Sequence, residues 1–113
     1  MGADGRKDDA GKLRTDLLLD GFPRALTSVA QVLDWAVTAK QPPYADGGWQ
    51  YVTPFQPRYR AAMMRHILNA ATAAGNNGRC FSEQVDDETG LPELAHIAAC
   101  VLMQLEMMLR CKQ

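Results

Sequence analysis

A basic excess is missing from this chain: 12 Lys and Arg are balanced by 13 Asp and Glu, leaving a formal net charge of −1. A protein that holds nucleic acid through its phosphates ordinarily carries such an excess, so a nucleic-acid polymer is not the expected partner. Paired cysteines are missing as well. Cys80, Cys100 and Cys111 make an odd count without C-x-x-C spacing, which argues against a disulfide framework and a structural zinc site and points to a reducing, cytoplasmic setting. No apolar run approaches the roughly 18 to 20 residues that span a bilayer, and the N-terminus, with Asp4, Asp8 and Asp9, has no signal-peptide apolar region, so no membrane is expected. What remains, with 47% hydrophobic and 22% charged residues in 113, is an ordinary globular chain. Its length fits one domain whose helices would leave apolar faces uncovered, so assembly into a homo-oligomer, a dimer or a tetramer, is expected.

In chain order, residues 1–11 are polar and Gly-rich, too poor in apolar groups to offset the entropy of ordering them, and read as a flexible arm ahead of a single domain over 12–113. Lys12, Arg14 and Asp16 then alternate with Leu13 and Leu17. In an extended segment the two cations would project from one side, where they could hold a phosphate or simply form a surface ion pair. A first helix is expected from Pro23 to about Ala39, since Phe22, Leu26, Val29, Leu33, Ala36 and Val37 recur at three and four. Residues 40–53 hold two prolines, two glycines and three aromatics, and no regular element is expected there. Tyr44, Trp49 and Tyr51 in that loop could stack on a flat ligand or pin the loop to the core.

A second helix is expected from Pro54 or Pro57, with Thr53 as a cap, to a stop before Gly75-Asn76-Asn77-Gly78. It carries Arg65, His66 and Asn69 beside an apolar stripe of Tyr59, Met63, Ile67 and Ala70. A long connection follows, with Arg79, Cys80 and Glu83, and loops of that length in small domains are often functional. The last helix should run from Pro92 to about Arg110, with Leu94, Ile97, Ala98, Val101, Leu102, Leu105 and Met108 or Leu109 toward the core. The fold class is therefore all-α, three main helices with long loops.

The richest stretch is Asp86-Asp87-Glu88-Thr89-Gly90-Leu91-Pro92-Glu93-Leu94-Ala95-His96. Gly90 permits a turn and Pro92 suits a helix start, so this is a loop feeding a helix. Glu93 and His96, three apart, share a helical face and could reach one cation, as Glu-x-x-His pairs do in bundle metal sites. Acidic residues are also what a helix N-terminus favours, so a solvated capping cluster accounts for the same residues.

Taken together, Asp9-Ala10-Gly11-Lys12-x-Arg14-x-Asp16-Leu17-Leu18, Tyr44-x-x-x-x-Trp49, Arg65-His66 and Asp86-x-Glu88-Thr89-Gly90-Leu91-Pro92-x-Leu94-Ala95-His96 give an ordered set. It resembles the phage dATP/dGTP diphosphohydrolases, the MazZ branch of the MazG-like nucleotide pyrophosphohydrolases, over roughly residues 9–106. The resemblance implies a MazG-like helical bundle completed by oligomerisation. It further implies Mg2+- or Mn2+-dependent cleavage of purine deoxynucleoside triphosphates, dGTP and with it dATP, to the monophosphate and pyrophosphate. In a phage, and so in the host cytoplasm, such an enzyme would supply dGMP for 2-aminoadenine nucleotide synthesis. It also implies roles for residues. Asp86, Glu88, Glu93 and His96 would be catalytic, with Glu83, Asp86, Glu88, Glu93 and His96 as metal ligands. Lys12, Arg14, Asp16, Tyr44, Trp49, Arg65 and His66 would bind substrate. MazG-like enzymes usually carry Glu-Glu-x-x-Glu on one helix and Glu-x-x-Asp on a later one; here Glu93-x-x-His96 stands for the second, and only His66 and Asn69 stand near the first. Two other classes fit the residues, a non-catalytic helical interaction module presenting Trp35 and the methionines, and an HD-like phosphohydrolase built on His66, His96 and the aspartates.

Overall fold

The computed structural model describes residues 5–111, and the described residues are helical, with no strand among them beyond one isolated bridge between Val85 and Pro92. Four helices follow one another: α1 (Asp16–Leu19), α2 (Pro23–Thr38), α3 (Phe55–Asn77) and α4 (Glu93–Cys111). Two 3-10 turns, Gly48–Tyr51 and Phe81–Glu83, lie in the connections. α2 begins on Pro23, whose missing N–H is harmless at a first helical position. α3 tolerates Pro57 for the same reason, since it lies in the first turn.

The three main helices lie where hydrophobic spacing puts them, and the differences are local. α3 passes through Gly75 and stops at Gly78, whose φ of 73° is the left-handed conformation that ends helices. The alanine-rich turn before Gly75 carries the helix over it. Thr53 does not cap α3; no side-chain bond closes that end. Residues 12–19 are not one extended segment, because the leucine run that follows Asp16 lacks the alternation of a strand and closes a helical turn, with Asp20 N–H donating to the Asp16 carbonyl at 2.8 Å. Inside the loop expected to be irregular, Gly48–Tyr51 forms a 3-10 turn. Of the arm expected over residues 1–11, residues 1–4 lie outside the described residues, and residues 5–9 have no helix or turn.

Contacts run from α4 to α3 and from α4 to α2, which makes α4 the central helix. Its small residues allow the approach: Ala95 and Ala99 are buried against Val29 and Val32 of α2, with Leu91 and Ala98 packed around them. Ala70 of α3 is fully buried. Beyond this narrow seam the apolar faces stay open. Val101, Leu102, Leu105 and Met108, expected to point into the core, are 45–48% exposed, because α2 and α3 cover α4 on two sides only. At 19 residues α4 is also long and apolar enough, by length and composition, to cross a bilayer, contrary to the expectation that no run reaches that length. Its buried Glu93 and His96 and its Arg110–Glu106 ion pair at 2.8 Å belong to a helix packed among others.

The close α2–α4 approach generates a prediction. Ala99→Leu inserts three carbons where the side chain is 3% exposed, and overpacking of this kind costs about 1–3 kcal/mol. Thermal unfolding should show a clear loss of Tm for Ala99→Leu and almost none for Thr72→Ala on the exposed side of α3; equal Tm values would mean that the seam is not tightly packed.

Candidate metal and substrate site

The connection between α3 and α4 is closed by its own hydrogen bonds. Asp86 N–H donates to the Leu91 carbonyl at 2.8 Å, Gly90 N–H to the Asp86 carbonyl at 2.8 Å and Glu93 N–H to the Gln84 carbonyl at 2.9 Å. Gly90, at φ 70°, makes the reversal that a residue with a side chain would resist. Asp86 Oδ1 accepts the backbone N–H of both Glu88 and Thr89 at 2.9 Å, so the carboxylate is fixed by one oxygen and presents the other. Gln84, buried, exchanges two amide hydrogen bonds with Asn77 at 2.9 and 3.1 Å and ties the loop to the end of α3.

This loop brings Asp86 and Glu93 to His66 of α3. His66 Nδ1 lies 2.7 Å from Glu93 Oε1 and 3.6 Å from Asp86 Oδ2, and one ligand atom from each of the three residues falls within 4.8 Å of the others. Glu93 is 3% exposed, and His66 and Asp86 are half-buried. Behind His66 stands His96, its ring stacked at 4.5 Å and 13°, with Nε2 2.7 Å from Thr89 Oγ1. Thr89 Oγ1 also accepts the Leu91 N–H at 3.1 Å, so the ring, the hydroxyl and the loop hold one another. Burial, and then the neighbouring His66, push the His96 pKa down from its ordinary value, against the pull of Asp86 and Glu88. For Asp86 burial works to raise the pKa, but the Thr89 and Glu88 N–H groups together with His96 and His66 outweigh it and hold the carboxyl below its ordinary value. Asp86 is thus kept ionised.

One imidazole nitrogen and two carboxylates lying close together, with Asp86 held by backbone hydrogen bonds, are a donor set that fits a divalent cation of the Mg2+ or Mn2+ kind, with imidazole suiting Mn2+ better. The cation would also relieve the repulsion between two carboxylates at close quarters. Of the residues expected as ligands, Asp86 and Glu93 are in this group and Glu83, Glu88 and His96 are outside it. Glu83 is exposed and accepts the Cys80 N–H at 3.2 Å, which lowers its pKa and uses it as the cap of the Phe81–Glu83 turn. Glu88 is exposed, and His96 backs His66. His66, expected to bind substrate, stands among the metal-ligand candidates, a place that Glu-x-x-His spacing within one helix does not reveal.

Along α3 from the cluster lies a cavity of about 320 Å³ lined by Tyr44, Gly48, Trp49, Arg58, Tyr59 and Arg65 among others, and a second of about 420 Å³ shares Tyr44, Trp49 and Tyr59 with it. Trp49 is wedged by Phe55 at 6.1 Å and by the Arg110 guanidinium 5.6 Å from its ring, and its carbonyl accepts the Tyr59 hydroxyl at 3.3 Å. Gly47, at φ 68°, turns the chain into this platform; a Cβ there would also meet Gln50 Nε2 at 2.9 Å. Arg58 and Tyr59 were not expected in a site: the apolar spacing assigned Tyr59 to the core stripe. Tyr59 lies seven residues before His66 on α3, and Met103 of the second cavity lies ten after Glu93 on α4, so measured along the helices the aromatic residues are about 10 to 15 Å from the carboxylate cluster. Lys12, Arg14 and Asp16 are exposed near α1, where Arg14 and Asp16 pair with each other at 2.8 Å, and the structure does not bring them to the cluster.

Metal-dependent thermal shift distinguishes the ligand candidates. With Mn2+ added, wild type and the Glu83→Ala and Glu88→Ala variants should gain several degrees, and Asp86→Ala and Glu93→Gln should gain almost nothing; an equal gain in all five would remove the cluster as the metal site.

A family model described as dATP/dGTP diphosphohydrolase, N-terminal, matches residues 2–113. No curated protein and no solved structure matches the chain.

Proposed function

Because the chain belongs to the dATP/dGTP diphosphohydrolase family, and is thereby a nucleoside triphosphate hydrolase, we propose that it cleaves purine deoxynucleoside triphosphates between the α and β phosphorus atoms, releasing the monophosphate and pyrophosphate. The observation that carries this reading is the convergence of His66, Asp86 and Glu93 about 10 to 15 Å, along the helices, from the aromatic residues of a cavity whose wall also carries Arg58 and Arg65. That separation suits a base and sugar in the cavity and a triphosphate lying toward the carboxylates.

Residue roles go with this reading. Trp49 and Tyr44 offer stacking surface for the purine. Arg65 and Arg58, on the cavity wall, would meet phosphate oxygens, to which a guanidinium gives two parallel donors. His66, Asp86 and Glu93 would hold the divalent ion, Mg2+ or Mn2+, which when bound neutralises phosphate charge and acidifies water. A water oxygen attacks the α-phosphorus, the bond from that phosphorus to the bridging oxygen breaks, and pyrophosphate leaves with the electron pair. The water's proton goes to a carboxylate of the cluster or to solvent. Thr89 and His96 position His66 through the stacked rings. Lys12 and Arg14 remain candidates for the phosphates from a second copy of the chain, and Glu83 and Glu88 for a further ion or its water shell. Supply of dGMP to 2-aminoadenine synthesis in a phage, in the host cytoplasm and with neither nucleic-acid polymer nor membrane as partner, is the physiological setting that the sequence resemblance supports. A single domain over 12–113 with residues 1–11 as an arm is the organisation that goes with it.

The proposal includes assembly. Leu13, Leu17, Leu18, Leu19 and Phe22 are 55–88% exposed, and the Cα radius of gyration of 18.3 Å exceeds the roughly 13 Å of a compact chain this size. A second copy covering this segment and the open face of α4 would bury both. Light scattering at micromolar concentration should give at least a dimer mass; a monomer would refute the assembly.

Incubation of the protein with each dNTP and Mg2+ or Mn2+ tests the reaction. Pyrophosphate and monophosphate should appear from dGTP and dATP, and little from dCTP or dTTP. Release of inorganic phosphate or of triphosphate would instead mark an HD-like reaction. Trp49→Ala should raise KM for both purines by a similar factor, on the order of tenfold, with kcat nearly unchanged, since stacking is shared by ground and transition states. An unchanged KM would make Trp49 a core anchor only.

A further inference from the structure

We propose that Gln84 is a positioning residue for the divalent ion, holding Asp86 and Glu93 against His66 by tying the loop to the end of α3. The inference rests on the reading of His66, Asp86 and Glu93 as the ion's ligands and deepens it. Those three residues come from the middle of α3, from the loop and from the first residue of α4, so their spacing is set by whatever joins the loop to both helices. Gln84, 5% exposed, joins it to both. Its Nε2 lies within hydrogen-bond distance of three oxygens, Asn77 Oδ1 at 3.1 Å and the Arg79 and Cys80 carbonyls at 3.3 and 3.2 Å, and its Oε1 accepts from Asn77 Nδ2 at 2.9 Å. Asn77, the last residue of α3, also accepts the Arg79 N–H on Oδ1 at 2.9 Å. On the other side the Gln84 carbonyl accepts the N–H of Glu93 at 2.9 Å.

Backbone at Gln84 is extended, with φ −73° and ψ 146°, and Val85 bridges to Pro92, so Gln84 and Asp86, two apart, send their side chains to one side, and both reach α3. Their partners there, Asn77 and His66, are eleven residues apart, three helical turns, and share a face with the fully buried Ala70. Gln84 thus sets where the loop lies along α3, and Asp86 presents its carboxylate from that register. An amide suits the task because it donates and accepts at once; a carboxylate in its place would set its oxygens against three others. Among the described residues, the hydrogen bonds and ion pairs that join residues 83–93 to α3 are those of Gln84 with Asn77 and those of Asp86 and Glu93 with His66. Without Gln84 the ligands would carry the junction alone. Hydrogen bonds that orient a metal's ligands from outside govern its affinity.

The experiment titrates Mn2+ into the full chain by isothermal calorimetry, at a temperature where circular dichroism shows each protein folded, in wild type, Gln84→Ala, Asn77→Ala and Val32→Ala. Gln84→Ala should weaken Mn2+ binding about ten- to a hundredfold, the loss usual when a group orienting a metal's ligands is removed. Asn77→Ala, which leaves Gln84 its two carbonyl partners, should lose affinity in the same direction and by less. Val32→Ala removes buried carbons from the α2–α4 seam, away from this junction, and should bind Mn2+ as wild type does while its Tm falls. Gln84→Ala binding as tightly as wild type overturns the proposal whatever its Tm, and so does a loss shared equally with Val32→Ala, which would report only general loosening. If Gln84→Ala does not fold, the exposed Asn77 decides, and wild-type affinity in Asn77→Ala overturns the proposal. Wild type that takes up no Mn2+ overturns the ligand reading as well, which separates the two failures.

Discussion

The contact of His66 with Glu93, at 2.7 Å, is the constraint on which the site depends. It joins the middle of α3 to the first residue of α4, across the loop that carries Asp86. Glu93 is 3% exposed, and a carboxylate so placed without a partner would be strongly unfavourable. The imidazole therefore holds the helices in register as much as it offers a ligand atom. The stacked His96 and its bond to Thr89 extend the same device outward, so that a small displacement of α4 would disturb the loop, the ring pair and the carboxylates together.

A core of valines and alanines suits this arrangement. Val29, Val32, Ala95 and Ala99 let α2 and α4 approach closely while leaving most large apolar side chains outside. Stability drawn from so narrow a seam is modest, and the exposed leucines and methionines are the surface on which an assembled form would draw for more. The polar cluster sits at the end of the bundle where α3 and α4 meet, and the aromatic cavity two helical turns away, where α2 and the Gly48–Tyr51 turn close the other side. Two rigid helices thus fix the distance between the part of the site suited to phosphate chemistry and the part suited to a base.

Charge follows the same axis. Carboxylates at the cluster need a cation, Arg58 and Arg65 line the first cavity, and Asp34 and Asp46, both exposed, line the second. The near-neutral sum over the chain conceals this separation, which only has meaning along a binding path.

The sequence by itself determined the helices and the site's alphabet. Apolar residues at three and four located α2, α3 and α4 within a few residues, because helical period is a local property. Asp86, Gly90, Pro92 and Glu93 announced a loop feeding a helix, since turn and first-turn chemistry are local too. Tertiary structure decided what spacing along one helix could not. His66, twenty residues before Asp86, joined the carboxylates because the α3–α4 turn folds back on itself, whereas Glu83 and Glu88, closer in sequence, were taken by a cap and by solvent. Tyr59 became cavity wall rather than core because only two sides of α4 are covered. Which apolar positions stay exposed depends on how many helices share the burial, and no single segment carries that number.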